Sequence, residues 1–208
     1  MGLPQLFVRF YGCNLSCVYC DTKIDSFRTF TADALMSKIL EYQKPYHSLS
    51  FTGGEPLLQA DFIGNFLDKY KKFYRKHIYL ETNGTLWREL PKVINGADIV
   101  AMDFKLPSST GGAAFWQEHE KFLKVAAEKK VFVKAVVTHK TDPGDILKMM
   151  KIVKKINARI PIILQPVTTL FEDERVTDKN LDRFKGILEN LTGHSEVIPQ
   201  LHKIMGIK

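Results

Sequence analysis

Cysteine is scarce in this chain, with three residues among 208. So small and odd a number excludes a disulfide framework, and a chain of this length buries enough surface to need no such staples. No apolar run approaches the roughly eighteen residues of a membrane-spanning helix, so no membrane association is expected. The amino end, Met1-Gly2-Leu3-Pro4-Gln5-Leu6, has neither the apolar stretch of a secretory signal nor the Ser or Thr of a myristoylation site. Repeats, low-complexity tracts and shifts in composition are missing too, which leaves one cytoplasmic domain, residues 1–208, as the expectation.

What is present suits that class. The chain is 45% hydrophobic and 25% charged, which excludes a disordered or collagen-like polymer. Thirty Lys+Arg against 23 Asp+Glu give a net charge of +7, a modest excess. Lys69, Lys71, Lys72 and Lys76 lie along one apparent helix and Lys148, Lys151, Lys154 and Lys155 along another. Aromatic residues do not interleave with them as a stacking platform would require. Solvated faces, rather than stable nucleic-acid binding, are expected.

Short β-branched or aromatic runs alternate with amphipathic stretches. The period predicts strands at 5–10, 48–52, 77–81, 98–103, 131–137, 160–165 and 196–199. Helices are predicted at 31–43, 60–75, 86–94, 115–129, 142–157 and 177–191, with Thr31 and Thr177 as N-caps and Gly96 and Gly193 after helix ends. Six strand-helix units in series imply parallel strands joined by right-handed crossovers. A closed eight-unit barrel takes about 250 residues. The expected fold is therefore α/β, a partial (β/α)6 TIM-like barrel with a mainly parallel sheet.

In that architecture the chemistry sits at the C-terminal ends of the strands. Polar and glycine-rich segments fall there: Gly12-Cys13, Thr52-Gly53-Gly54-Glu55-Pro56, Glu81-Thr82-Asn83-Gly84-Thr85, Asp103-Phe104-Lys105-Leu106-Pro107-Ser108-Ser109 and Gln165-Pro166. All three cysteines stand within Cys13-Asn14-Leu15-Ser16-Cys17-Val18-Tyr19-Cys20, a C-x3-C-x2-C spacing. Zinc would need a fourth ligand, such as a distant His47, His77 or His202. Three thiolates on a 4Fe–4S cluster instead leave one iron for a small molecule, and incidental core cysteines are the plainest alternative. In Thr52-Gly53-Gly54-Glu55-Pro56 the glycines permit close backbone approach to a ligand, and the carboxylate can accept from an ammonium group. A structural turn is the plainer reading of that segment.

The cysteine spacing, followed one unit later by Gly53-Gly54-Glu55, resembles the radical S-adenosylmethionine (SAM) superfamily. The resemblance implies that Cys13, Cys17 and Cys20 hold the cluster, whose fourth iron chelates SAM. Electron transfer then yields methionine and a 5′-deoxyadenosyl radical that abstracts a hydrogen atom. Tyr19 matches the aromatic that packs near the adenine.

A finer resemblance is to the 7-carboxy-7-deazaguanine synthase family. It rests on Phe7-Val8-Arg9, Gly12-Cys13-Asn14-Leu15, Cys20-Asp21-Thr22, Thr52-Gly53-Gly54-Glu55-Pro56-Leu57-Leu58-Gln59 and Glu81-Thr82-Asn83-Gly84-Thr85. Lys105-Leu106-Pro107-Ser108-Ser109, Gln165-Pro166 and Pro199-Gln200-Leu201-His202-Lys203 also match. The resemblance implies conversion of 6-carboxy-5,6,7,8-tetrahydropterin into 7-carboxy-7-deazaguanine with loss of ammonia, with SAM regenerated.

It further implies SAM contacts from Tyr19, Asp21, Thr52, Gly54, Glu55, Asn83, Lys105, Ser108 and Gln165. Substrate contacts are implied for Arg9, Gly53, Gly54 and His202, and Thr22 is implied to touch a Mg²⁺ ion. Plainer readings stand beside these: a strand-end ion pair for Arg9, a partner to Asp103 for Lys105, a turn or cap for Asp21-Thr22, a satisfied histidine for His202. A flavodoxin or ferredoxin reductant and a homodimer are implied as well.

The sequence departs from the family pattern at its amino end. An extra strand and a Gly-Glu-Gly segment usually precede the Phe-Val-Arg strand, whereas Met1-Gly2-Leu3-Pro4 stands directly before it here. The comparison implies an intact SAM half and an incomplete pterin half. Competing readings are a glycyl-radical activating enzyme, which shares the cysteine spacing but not the middle and terminal motifs, and a zinc-stabilised nucleic-acid-binding module that would use the positive charge.

Overall fold

A computed structural model of the chain describes residues 3–22, 26–169, 174–189 and 195–200. Seven strands form where the sequence period places them: β1 (Gln5–Phe10), β2 (Ser48–Gly53), β3 (His77–Thr82), β4 (Ile99–Asp103), β5 (Lys130–Val137), β6 (Ile162–Pro166) and β7 (Ser195–Val197). They make one sheet in sequential order, and every pair is parallel. Each crossover thus advances the sheet by one strand. β1 and β7 are its edges, so the sheet is an open, barrel-like wall, with a seventh strand beyond the six strand-helix units.

Helices α1 (Ala32–Leu40), α2 (Ala60–Phe73), α3 (Pro91–Ile94), α4 (Pro107–Thr110), α5 (Trp116–Ala126), α6 (Pro143–Asn157) and α7 (Asp178–Glu189) connect the strands. Thr31 caps α1, its hydroxyl oxygen accepting from Ala34 N at 3.1 Å. Asp142 caps α6 through Gly144 N at 2.7 Å, with Pro143 at the first helical position. Thr177 Oγ1 accepts from Asn180 N at 3.3 Å, as an N-cap of α7 should. Gly193 lies outside the described residues.

Two helical expectations are corrected. The stretch 86–94 is helical only from Pro91, because proline has no N–H to donate and settles in a first turn. Helix α2 stops at Phe73, so Lys76 is not on it and donates to Tyr46 O at 2.8 Å instead. Lys69 pairs with Asp33 at 2.6 Å, Lys71 with Asp98 at 2.6 Å and Lys155 with Glu120 at 2.8 Å, so these lysines lie in ordinary surface ion pairs. No helix among the described residues is long and apolar enough to cross a membrane.

Alternation divides the sheet into two unlike faces. Leu49, Phe51, Ile78, Leu80, Val100, Met102, Val133, Ala135, Ile162 and Leu164 are buried under the helical layer. Phe51, for example, meets Phe66 of α2 edge-on at 5.7 Å. Each such large side chain contributes about 1.5–3 kcal/mol, so the outer face carries most of the stability. The intervening positions belong to the inner face, which is mixed: Phe7, Ala101, Phe132, Val136 and Ile163 share it with a polar set toward the C-terminal strand ends, Arg9 beside Thr52, Glu81 one strand further, Asp103 beside Lys134, and Gln165. Burial of one face leaves the other free to carry chemistry.

Candidate active site

The loop of Cys13 to Cys20 leaves the C-terminal end of β1 through Gly12, whose φ of +86° requires a residue without a Cβ. It is fastened on three sides. Glu55 N donates to Gly12 O at 2.7 Å, Val18 N donates to Thr110 O at 3.0 Å, and Asn83 Nδ2 donates to Asn14 Oδ1 at 2.9 Å. Asn14 in turn donates to Thr85 Oγ1 at 2.9 Å. Two separate strand ends therefore hold the cysteine loop.

All three cysteines are free thiols; Cys13 and Cys20 are exposed and Cys17 is half-buried. Burial pushes the Cys17 thiol up, Lys105 pulls it down, and Asp103, Cys20 and Cys13 add to the rise. The three sulfurs are thus electrostatic neighbours. Among the described residues no three His, Cys, Asp or Glu side chains converge as ligands of one metal ion. A cubane asks for something wider, since each cysteine binds a different iron, and three soft donors on one pinned loop fit that requirement. Of the histidines considered as a fourth zinc ligand, His47 and His77 neighbour each other at 5.4 Å beside the starts of β2 and β3, the opposite end of the strands from the cysteines, and His202 lies outside the described residues.

Gly53 and Gly54 serve the chain itself as well as any ligand. A Cβ on Gly53 would strike the Phe10 backbone and one on Gly54 would strike Gly12 O, because the segment is packed directly against the end of β1. Gly54 N donates to Phe10 O at 3.0 Å. Glu55 is fully buried. Its Oε1 accepts from Leu57 N at 3.0 Å and Thr82 Oγ1 at 2.7 Å, and its Oε2 accepts from Asn83 N at 2.7 Å. Burial pushes this carboxyl above its ordinary value, and the three donors oppose the rise. Its carboxylate ties β2 to the end of β3.

Asn83 is also buried, and its side-chain oxygen accepts from Thr85 N at 3.0 Å and Thr85 Oγ1 at 2.7 Å. Lys105 does pair with Asp103, at 2.9 Å, and reaches Tyr19 Oη at 3.3 Å. For Asp103, burial raises the pKa, but Lys105 and Lys134 outweigh it and the group stays low. For Lys105, burial is the largest single effect and pulls down, but Asp103, Tyr19 and Cys17 together outweigh it and the group is held above its ordinary value, so both partners remain charged. Burial, then Asp103, pushes the Tyr19 phenol well above its ordinary range. Asp103 Oδ1 is buried and finds no partner among the described residues, a natural acceptor for a ligand hydroxyl or N–H.

The remaining candidates are placed as follows. Thr52 donates to Glu81 Oε2 at 3.3 Å, and Arg9 is exposed on the inner face beside it. Ser108 Oγ accepts from Asp142 N at 2.9 Å while Ser108 N donates to Asp145 at 3.0 Å, so this residue joins α4 to the start of α6. Gln165 Nε2 reaches Pro199 O at 3.5 Å. Thr22 is half-buried and Asp21 exposed, just past the cysteine loop. His202 lies outside the described residues.

Sequence reasoning missed Asn14, Thr85, Lys134 and His119. His119 is wholly buried on α5, its Nε2 3.1 Å from Asn83 O and 3.5 Å from Lys105 N. Burial lowers its pKa to about 4, so the ring is neutral near pH 7. Its signal was a polar residue in the apolar stripe of Phe122, Leu123 and Ala126. For Lys134 the signal was a cation interrupting the apolar run from Val131 to Val137.

The Radical SAM superfamily profile matches residues 7–155. A 7-carboxy-7-deazaguanine synthase of Geobacter sulfurreducens is 32% identical over 231 residues, covering 99% of this chain and 91% of that protein. One from Archaeoglobus fulgidus is 35% identical over 223 residues, covering 100% and 92%. The chain belongs to the 7-carboxy-7-deazaguanine synthase family. Members are radical SAM enzymes, so a 4Fe–4S cluster and SAM go with membership. The crystal structure of QueE from Escherichia coli has the same fold, with a TM-score of 0.62 at 21% identity over 96% of this chain and 86% of that one.

Proposed function

We propose that this chain is a 7-carboxy-7-deazaguanine synthase, turning 6-carboxy-5,6,7,8-tetrahydropterin into 7-carboxy-7-deazaguanine with release of ammonia. The observation that carries this reading is the anchoring of the cysteine loop to the ends of β2 and β3, at the rim where the inner face carries Arg9, Thr52, Glu81 and Asp103. Cys13, Cys17 and Cys20 would hold the cluster. When bound, the cluster and SAM supply the one-electron chemistry that takes a hydrogen atom from the substrate.

The chain's own residues bind and orient. Tyr19, Asp103 and Lys105 offer SAM an aromatic face, an open carboxylate oxygen and an ammonium group; Gly54, Glu55, Asn83, Ser108 and Gln165 shape the rest of that pocket, with Asp21 and Thr52 at its margins. Arg9, at the end of β1, presents a planar fork suited to a carboxylate or carbonyl, with Gly53 and His202 as further substrate contacts. Thr22 contributes one oxygen to Mg²⁺, which characteristically fills its shell with substrate and water. Residues 1–208 act as one domain, as a cytoplasmic homodimer reduced by a flavodoxin or ferredoxin.

Anaerobic reconstitution with iron and sulfide is expected to give a brown protein with about four irons per chain. With reductant, Mg²⁺ and SAM it is expected to turn the carboxytetrahydropterin into deazaguanine product while SAM is conserved. A cluster-loaded protein that consumes SAM without forming product refutes the assignment.

A further inference from the structure

On the inner face, one carboxylate serves two cations. Asp103 Oδ2 lies 2.9 Å from Lys105 Nζ and 3.6 Å from Lys134 Nζ. The side chains of Asp103, Lys105 and Lys134 are 16%, 12% and 26% exposed, so all three charges are largely out of water. The Lys105 pair is a short charge-assisted hydrogen bond. The Lys134 contact is longer than a hydrogen bond, and Lys134 Nζ makes no hydrogen bond among the described residues. The cluster therefore carries one surplus positive charge, on the amine with its donors unspent.

No other carboxylate among the described residues pairs with it. β5 register places Lys134 beside Asp103 on one side and Ile163 on the other, and Glu196 lies beyond Ile163 on β7. Glu81 is on β3, beyond β4 on the other side. Each is two strands away, about 10 Å at ordinary strand spacing, and neither makes an ion pair with Lys134. A half-buried ammonium with unspent donors is costly unless an anion completes it. Through Asp103 and Lys105, Lys134 is linked to Tyr19 of the cysteine loop.

We propose that Lys134 is a ligand-anchoring residue, its ammonium binding the carboxylate of a molecule held on the inner face while Asp103 keeps it in place. Given the synthase reading above, two ligands carry such a group: the methionyl end of SAM and the 6-carboxylate of the pterin. Lys105 already holds Asp103 and Tyr19, so of the two lysines on Asp103 it is Lys134 that has the greater capacity to spare, a second inner-face cation beside Arg9.

Binding to cluster-loaded protein without reductant tests this with no turnover. The probes are SAM and its decarboxylated analogue, then 6-carboxypterin and unsubstituted pterin. In one pair the wild-type protein is expected to prefer the carboxylated probe, and Lys134→Gln to lower that preference about tenfold while leaving the decarboxylated probe's affinity unchanged. Lys134→Arg is expected to retain it. The pair that responds identifies the ligand. Preferences equal to wild type in both pairs, or equal loss for both members of a pair, overturn the proposal. Lys134→Met, which keeps the stem and needs no polar partner, replaces the glutamine variant if that one fails to load the cluster. Wild-type turnover of carboxytetrahydropterin, measured separately, tests the synthase reading; its failure would leave a response to SAM standing.

Discussion

Replacing Gly54 with alanine separates two reasons for a glycine at this position. If the residue is needed only for ligand approach, Gly54→Ala weakens SAM binding and leaves the empty protein intact. The structure requires more, since the new Cβ would collide with Gly12 O, a backbone atom with no rotamer to escape into. Relief means drawing β2's end away from β1's, which breaks the Gly54 N to Phe10 O bond of 3.0 Å and the Glu55 N to Gly12 O bond of 2.7 Å. Each bond is worth about 0.5–1.5 kcal/mol and the overlap about 1–3 kcal/mol, for a loss of about 2–6 kcal/mol. Against a usual stability of about 5–15 kcal/mol, that is a large shift in a urea midpoint. Unfolding of the metal-free protein, followed by circular dichroism, measures it. Gly186→Ala on α7 is the control: among the described residues nothing lies within 4 Å of the added Cβ, and the helix gains up to about 1 kcal/mol. A Gly54→Ala protein with the wild-type midpoint would refute the reasoning.

Three further outcomes are expected. Asn83→Ala removes the link to Asn14 and Thr85 and should cost about 2–3 kcal/mol, with several-fold faster iron loss from the reconstituted protein to a chelator; unchanged iron retention would show that the loop does not depend on it. His119, neutral when folded because burial holds its pKa at about 4, binds its proton more readily unfolded. Its contribution is full above pH 6.5 and lost as pH falls toward 4, by about 3 kcal/mol, so wild-type stability should drop in that window more steeply than that of His119→Gln, as urea midpoints across pH will show. Thr22→Ala should raise the Mg²⁺ concentration for half-maximal activity and leave iron content unchanged; a variant that cannot load iron would refute that separation of roles.

Local pattern carried most of the architecture. Strand β1 runs over the very residues its alternation marks, and the other strands agree within two residues at most ends, because a pleat's period of two and a helix's of 3.6 are written in consecutive side chains. Where the pattern misled, a local rule was underweighted: Pro91 divides 86–94, and Lys76 falls past the end of α2. The cysteine loop and the segments ending β2 and β3, set apart in sequence by their polar and glycine residues, do meet at one rim.

Partners are another matter, since contacts between residues far apart in sequence leave no local trace. The sequence by itself determined seven strands in βα order, the cysteine loop and the family's chemistry. Only the tertiary structure decided that Glu55 accepts from Thr82 and Asn83, that Asn14 joins Asn83, and that Asp103 stands between Lys105 and Lys134. The physical reason is that strand register and burial, set by the whole sheet, choose which polar groups face one another. A residue's type says what it can donate or accept; its neighbours across the sheet say what remains for a ligand.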